Sequence, residues 1–222
     1  MKHKRTAREF FSEEEKRKIE AATRNVESRT IGEVVVMVAG SSDPYVEADL
    51  LGGVVLGSLL SFVLTAFFFH SSIWSFVPIS FIFFFPAEWF VRKVSPLKTL
   101  FISREKKDDA VRRKAISAFY EHGLYKTRKN TGVLFLLSLL ERKVWVLADK
   151  GIHEKIGQES LNQVATLVSQ GVREKRPCEA LCGEIQRMGE LLSKHFPVTP
   201  GDTNELPDDV ITDEGSSQNR LR

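Results

Sequence analysis

A chain of 222 residues with 32 Lys and Arg against 29 Asp and Glu carries a net charge of only +3. Without a basic stripe on one face, that balance argues against a nucleic-acid partner, and two cysteines are too few for a disulfide framework. The composition is slightly polar on average, yet most of the sixteen Phe crowd into residues 62–101.

The chain opens with charged residues, Lys2 to Arg5, and no apolar run follows them. A cleaved signal peptide is not expected from that pattern. Ser12-Glu13-Glu14-Glu15 is a capping-box pattern and predicts a helix from Ser12 to about Ser28, with Ile19, Ala22 and Val26 on one face. Glu33 to Ala39 is a β-branched apolar run and reads as a strand buried on both faces. Gly40 to Pro44 closes it.

Residues 50–69 hold no charge over twenty positions. At about 1.5 Å per residue they span about 30 Å, the thickness of a bilayer's hydrocarbon core. A second apolar run, 73–94, contains Pro78, Pro86 and Glu88, with Trp74 and Trp89 near its ends as interfacial anchors. Only His70, Ser71 and Ser72 separate the two runs, so they form a tight antiparallel hairpin. Gly53 and Gly57 give small-xxx-small spacing for helix packing. Arg92, Lys93, Lys98, Arg104, Lys106 and Lys107 follow the second run, and the short connection has no Lys or Arg. The positive-inside rule then places both flanking parts, and both termini, in the cytoplasm.

Residues 103–122 predict a charged amphipathic helix with Val111, Ala115, Ala118 and Phe119 inward, stopped by Gly123. Gly132 to Leu140 and Lys143 to Asp149, turning at Glu141-Arg142, predict a β-hairpin. Helices follow at about 159–174 and from Pro177. Strand, helix and strand in succession predict parallel pairing of the first two strands. Cys178 and Cys182 share one face of the last helix and read as two small, partly buried residues. The tail from about 198 is polar and acidic and is expected to be flexible.

Several stretches resemble the TPM domain, the family that includes a thylakoid-lumen phosphatase-like protein and photosystem-repair proteins. They are FFSEEEKRKIEAA near the start, T-x-GEVVV at 30–36, TGVLFLLSLLERKVWVLADKGI at 131–152, and HFP followed by NELPDDV within 195–210. The resemblance implies an α/β/α sandwich around a small mixed sheet. Here it is interrupted by a two-helix transmembrane hairpin. The expected organisation is a first part of the domain at 9–44, the inserted hairpin at 45–100, the second part at 101–197 and the tail at 198–222. Some family members bind calcium or hydrolyse phosphate esters, and others serve assembly or repair of membrane complexes. Many carry a terminal anchor and are exported, whereas the hairpin of this chain is internal.

Asp149 falls on the acidic position of the family's D-x-G-I motif and ends a strand, where ligands of α/β folds gather. Asp43, just after the first strand, is expected to approach the same edge. Two carboxylates with loop carbonyls suit a hard cation, Ca²⁺ or Mg²⁺. The competing reading is that Asp149 caps the following segment. Thr127, Asn130 and Thr131 either line the cleft or form a turn. Glu33 is expected to be structural and at the opposite edge. His122 and His195 stand at helix ends, where a cation is favoured. His153-Glu154 lacks the second His of a metalloprotease helix, because Gly157 stands there. Cys182 to Arg187 is one residue short of a phosphate-cradling C-x5-R loop. The leading functional expectation is a membrane-anchored interaction module aiding assembly or quality control of membrane proteins, its partners being the bilayer and other membrane proteins. A metal-dependent phosphohydrolase, acting through metal-activated water, and a calcium- or magnesium-binding regulatory domain without turnover are the alternatives.

Overall fold

The capping box at Ser12 forms: the Glu15 amide donates to Ser12 Oγ at 3.2 Å, and the Ser12 amide donates to Glu15 Oε2 at 2.8 Å. It starts helix α1, Glu13–Glu27, which buries Ile19, Ala22, Thr23 and Val26 on one stripe. This is a computed structural model, and it describes residues 6–68, 73–127, 129–199 and 205–213. The chain divides into two units, one made of residues up to Ser42 and from Asp109 onward, the other of Asp43–Asp108. The hairpin is therefore an insertion within the α/β unit.

In the α/β unit, β1 (Glu33–Ala39) pairs in parallel with β2 (Gly132–Ser138), from Glu33 opposite Gly132 to Ala39 opposite Ser138. β2 pairs antiparallel with β3 (Lys143–Ala148). The parallel crossover and the β-hairpin expected from the pattern are both present. All seven residues of β1 and of β2 are buried, as uninterrupted apolar runs require. Leu139 and Leu140 belong to the turn rather than to β2.

Successive side chains of a strand face opposite ways, and both faces are covered. Val34, Val36 and Val38 join Val133, Phe135 and Leu137 in one apolar cluster. The same cluster takes in Ile19 and Val26 of α1, Ile152 of α6 (Lys150–Ile156), Leu161 and Val168 of α7 (Gln158–Arg173), and Leu181, Ile185 and Met188 of α8 (Pro177–His195). Val35 and Met37 with Leu134 and Leu136 face Val111, Ala115 and Phe119 of α5 (Arg104–Glu121). This is an α/β/α sandwich. Each fully buried Leu, Ile or Phe contributes about 1.5–3 kcal/mol through removal from water.

Two short elements carry weaker pattern: α4 (Ser95–Leu100) and α6, each too brief to show a period. The tail corrects an expectation. Residues 211–212 form β4 (Ile211–Thr212), parallel to β1 at Met37 and Val38, so the sheet order is β3-β2-β1-β4. Far from trailing away, 205–213 line the free edge of β1.

In the other unit, α2 (Val46–Phe68) and α3 (Ile73–Lys93) are long and apolar enough to cross a membrane. α2 starts before the apolar run, because Glu47 and Asp49 suit the first turn of a helix. Its buried residues are small or polar: Ala48, Asp49, Gly52, Gly53, Gly57, Ser61 and Thr65. A methyl group on Gly53 would meet Glu88 Cβ at 2.8 Å, and one on Gly57 would meet Phe84 Cα at 3.1 Å. The glycine stripe thus lets two helix backbones approach closely, and Glu88 lies against α2. The outer faces are aromatic: Phe67 is 83% exposed, Trp74 88% and Phe81 70%. Pro78 and Pro86 sit inside α3. The connection at His70 to Ser72 lies outside the described residues.

Candidate functional site

Asp149 does not sit where the rule for strand carboxyl ends would put a ligand. That rule holds for parallel strands, and β3 runs against β1 and β2. Its last residue, Ala148, lies opposite Val133, and the Asp149 amide donates to Gly132 O at 2.9 Å. Asp149 is therefore at the amino end of the parallel pair. Glu33, which also donates its amide to Thr131 O at 3.1 Å, shares that end, contrary to the expectation of opposite edges. Ser42, the residue before Asp43, is at the other end of the sheet, its Oγ 2.6 Å from Ser138 Oγ. The chain leaves toward Asp43, the first residue of the other unit, from that end of the sheet. Asp43 accepts the Tyr45 amide on Oδ1 at 3.0 Å.

The capping role of Asp149 is realised. It is the N-cap of α6, and its Oδ1 accepts the Lys150 amide at 2.7 Å. Its Oδ2 is buried and has no hydrogen-bond partner among the described residues. Thr127, Asn130 and Thr131 do come together beside it, but as turn formers. The Thr131 amide donates to Thr127 Oγ1 at 3.0 Å, and Thr131 Oγ1 donates to Ile31 O at 2.9 Å. Asn130 holds φ of +55°, a left-handed conformation that asparagine tolerates. Gly151 is required against this turn, since a methyl group there would lie 2.7 Å from Asn130 O. Among the described residues, no three His, Cys, Asp or Glu side chains gather into a group able to hold a metal ion.

Three polar features were not foreseen from sequence. First, a carboxyl pair: Glu27 is hydrogen-bonded to Asp208, and burial, then that bond, push its pKa up to about 9. The Val34 amide donates to Glu27 Oε1 at 3.1 Å, and Arg24 Nε donates to Asp208 Oδ2 at 2.7 Å. Glu33 joins this edge by accepting the Glu205 amide at 3.1 Å. Second, the exit of β1 is locked. Glu141, buried, accepts the Ser42 amide at 3.0 Å and the Ser138 hydroxyl. Third, a cavity of about 470 Å³ opens beside the β2–β3 turn, between Phe10, Leu137, Leu139, Val144 and Val172, with Arg142 and Arg173 at its wall. A turn arginine gives no sequence signal for such a place.

Cys178 and Cys182 are free, with sulfurs 4.0 Å apart. Burial pushes the Cys182 thiol up to about 12 and raises Cys178 as well, which favours the protonated thiol over the reactive thiolate. His122 corrects another expectation: burial lowers its pKa, so it favours the neutral form over a helix-end cation.

No protein-family model matches the chain, and no curated protein matches it. Among solved structures, it is similar to the NMR structure of the BA42 protein from the psychrophilic bacterium Bizionia argentinensis. The two share 18% sequence identity over 92% of this chain and 96% of that one, with a TM-score of 0.58. At that identity the likeness is one of fold.

Proposed function

We propose that this chain is a membrane-anchored interaction module. α2 and α3 cross the bilayer, and the α/β unit, tethered through chain connections at both ends of the hairpin, engages other membrane proteins during assembly or quality control. The observation that carries the reading is the division of the α2–α3 surface. Small residues fill the contact between the helices, while Phe67, Trp74 and Phe81 point outward, where water would disfavour them and lipid would not. The TPM resemblance supports a role in assembly or repair.

The orientation follows the same logic. Arg92, Lys93 and Lys98 stand at one end of the hairpin, with Lys93 Nζ 4.5 Å from the centre of the Trp89 ring, the pairing of an interfacial anchor. Both termini then lie in the cytoplasm.

Alkaline carbonate extraction of membranes tests the anchor. The chain is expected to remain in the pellet, and release into the supernatant would reject it. Labelling of a cysteine at position 71, in a background with Cys178 and Cys182 replaced by serine, is expected only from the non-cytoplasmic side. Crosslinking in intact membranes is expected to recover integral membrane proteins, and recovery of none overturns the interaction half of the proposal.

A further inference from the structure

The cavity beside the β2–β3 turn has the chemistry of a binding site. Phe10, Leu137, Leu139, Val144 and Val172 give it apolar surface, Ser138, Arg142, Lys143, Ser169 and Arg173 complete the lining, and no carboxylate lines it. Arg142 and Arg173 come to it from different elements, the β-turn and the last residue of α7. Neither guanidinium makes an ion pair or hydrogen bond among the described residues. The nearest acid in sequence, Glu141, is buried and accepts the Ser42 amide and the Ser138 hydroxyl. Ser169 adds a hydroxyl on the α7 side that has no hydrogen-bond partner among the described residues. Arg142 also holds φ of +54°, an unfavourable backbone for any residue with a Cβ. Side-chain packing does not require an arginine there, because Arg142 is exposed.

Two unneutralised guanidiniums over an apolar pocket recognise a ligand with an anionic head and an apolar body. We propose that this cavity binds an anionic amphiphile, a single-chain phosphate monoester lipid, with its phosphate between Arg142 and Arg173 and its chain against Leu137, Leu139, Val144 and Val172. The source of such a ligand rests on the bilayer reading of α2 and α3. The recognition itself rests on the cavity alone.

The test uses the full chain purified in an uncharged maltoside detergent and titrated calorimetrically with octyl phosphate, inorganic phosphate and octanol. Saturable binding of octyl phosphate is expected, with each of the other two weaker by about tenfold or more, since each lacks half of the recognition. Arg142→Gly and Arg173→Gln are each expected to weaken octyl phosphate by about tenfold, the loss of one charge-assisted pair. Glycine takes the left-handed conformation without strain, so Arg142→Gly is expected to keep the fold, checked by its melting curve. Binding unchanged in both variants overturns the proposal. So does inorganic phosphate or octanol binding as tightly as octyl phosphate. Carbonate release of the chain together with arginine-dependent octyl phosphate binding would remove the anchor and leave the site. Retention in the membrane without such binding would do the reverse.

Discussion

The carboxyl group of Glu27, at the end of α1, is hydrogen-bonded to that of Asp208 in the C-terminal segment. One of the two must hold a proton for that bond to exist, and it is Glu27, raised to about 9 by burial and by Asp208. A raised carboxyl pKa means that the folded chain binds a proton the unfolded chain has released. This contribution is complete below the unfolded value of about 4.5 and is lost as pH rises toward about 9. Stability of the α/β unit is therefore expected to fall between pH 5 and pH 9, measured by thermal melting at constant ionic strength. Glu27→Gln keeps the acceptor for Val34 and supplies a permanent donor to Asp208. It is expected to flatten that slope; an equally steep slope in the variant rejects the assignment.

Lys98 Nζ lies 2.8 Å from Asp49 Oδ2 and also donates to Pro44 O at 2.6 Å. The Asp49 side chain is only 3% exposed. Lys98→Met leaves that buried carboxylate only the longer pairing with Arg92, whose Nε is 3.9 Å from Oδ2, at a cost of up to about 3 kcal/mol. Lys98→Met combined with Asp49→Leu is expected to recover most of the loss. Thermal melting in detergent measures both, and two additive losses would show that the pair is not coupled.

Gly53 and Gly57 face the backbone of α3. Gly57→Leu is expected to separate the helices and expose the hairpin to protease in detergent micelles, because no flexible side chain can move aside for it. Leu59→Ala, on an exposed position, is the control and is expected to change little. Equal protease resistance of both variants would contradict the close approach.

Gly151 stands over the turn at Asn130. Gly151→Ala places a methyl group against a backbone carbonyl and is expected to destabilise the α/β unit by about 1–3 kcal/mol. Asn130→Gly fits the same turn without strain and is expected to be neutral or slightly stabilising. Chemical denaturation of the two variants distinguishes a packing constraint from a merely local preference.

What could be read in the sequence follows from how each signal is carried. The uncharged run from Leu50, the capping box at Ser12 and the apolar runs of β1 and β2 are local patterns, and the structure contains all three. The tail was legible only as composition. Leu206 to Thr212 is too short to show a period, yet it is held by Arg24, Glu27 and the edge of β1, which lie far away in the chain. Asp149 was read at the wrong end although the predicted β-hairpin already runs β3 against β2, which puts the end of β3 at the amino end of the parallel pair. Arg142 looked like any turn residue, since neither its left-handed backbone nor the cavity beside it leaves a mark on sequence.

The arrangement of β1 sets an order of events during synthesis. Its two sheet neighbours, β2 and β4, both lie downstream, beyond the inserted hairpin. When Glu33 to Ala39 leave the ribosome they have nothing to pair with, and both apolar helices must emerge before β2 begins at Gly132. A nascent chain that holds α2 and α3 but not yet β2 thus exposes an unpaired strand, apolar from Val34 to Ala39, the form most prone to pair with a stranger. The last edge closes only when Ile211 and Thr212 arrive, so a message truncated shortly before them would yield a chain bearing an unfinished sheet.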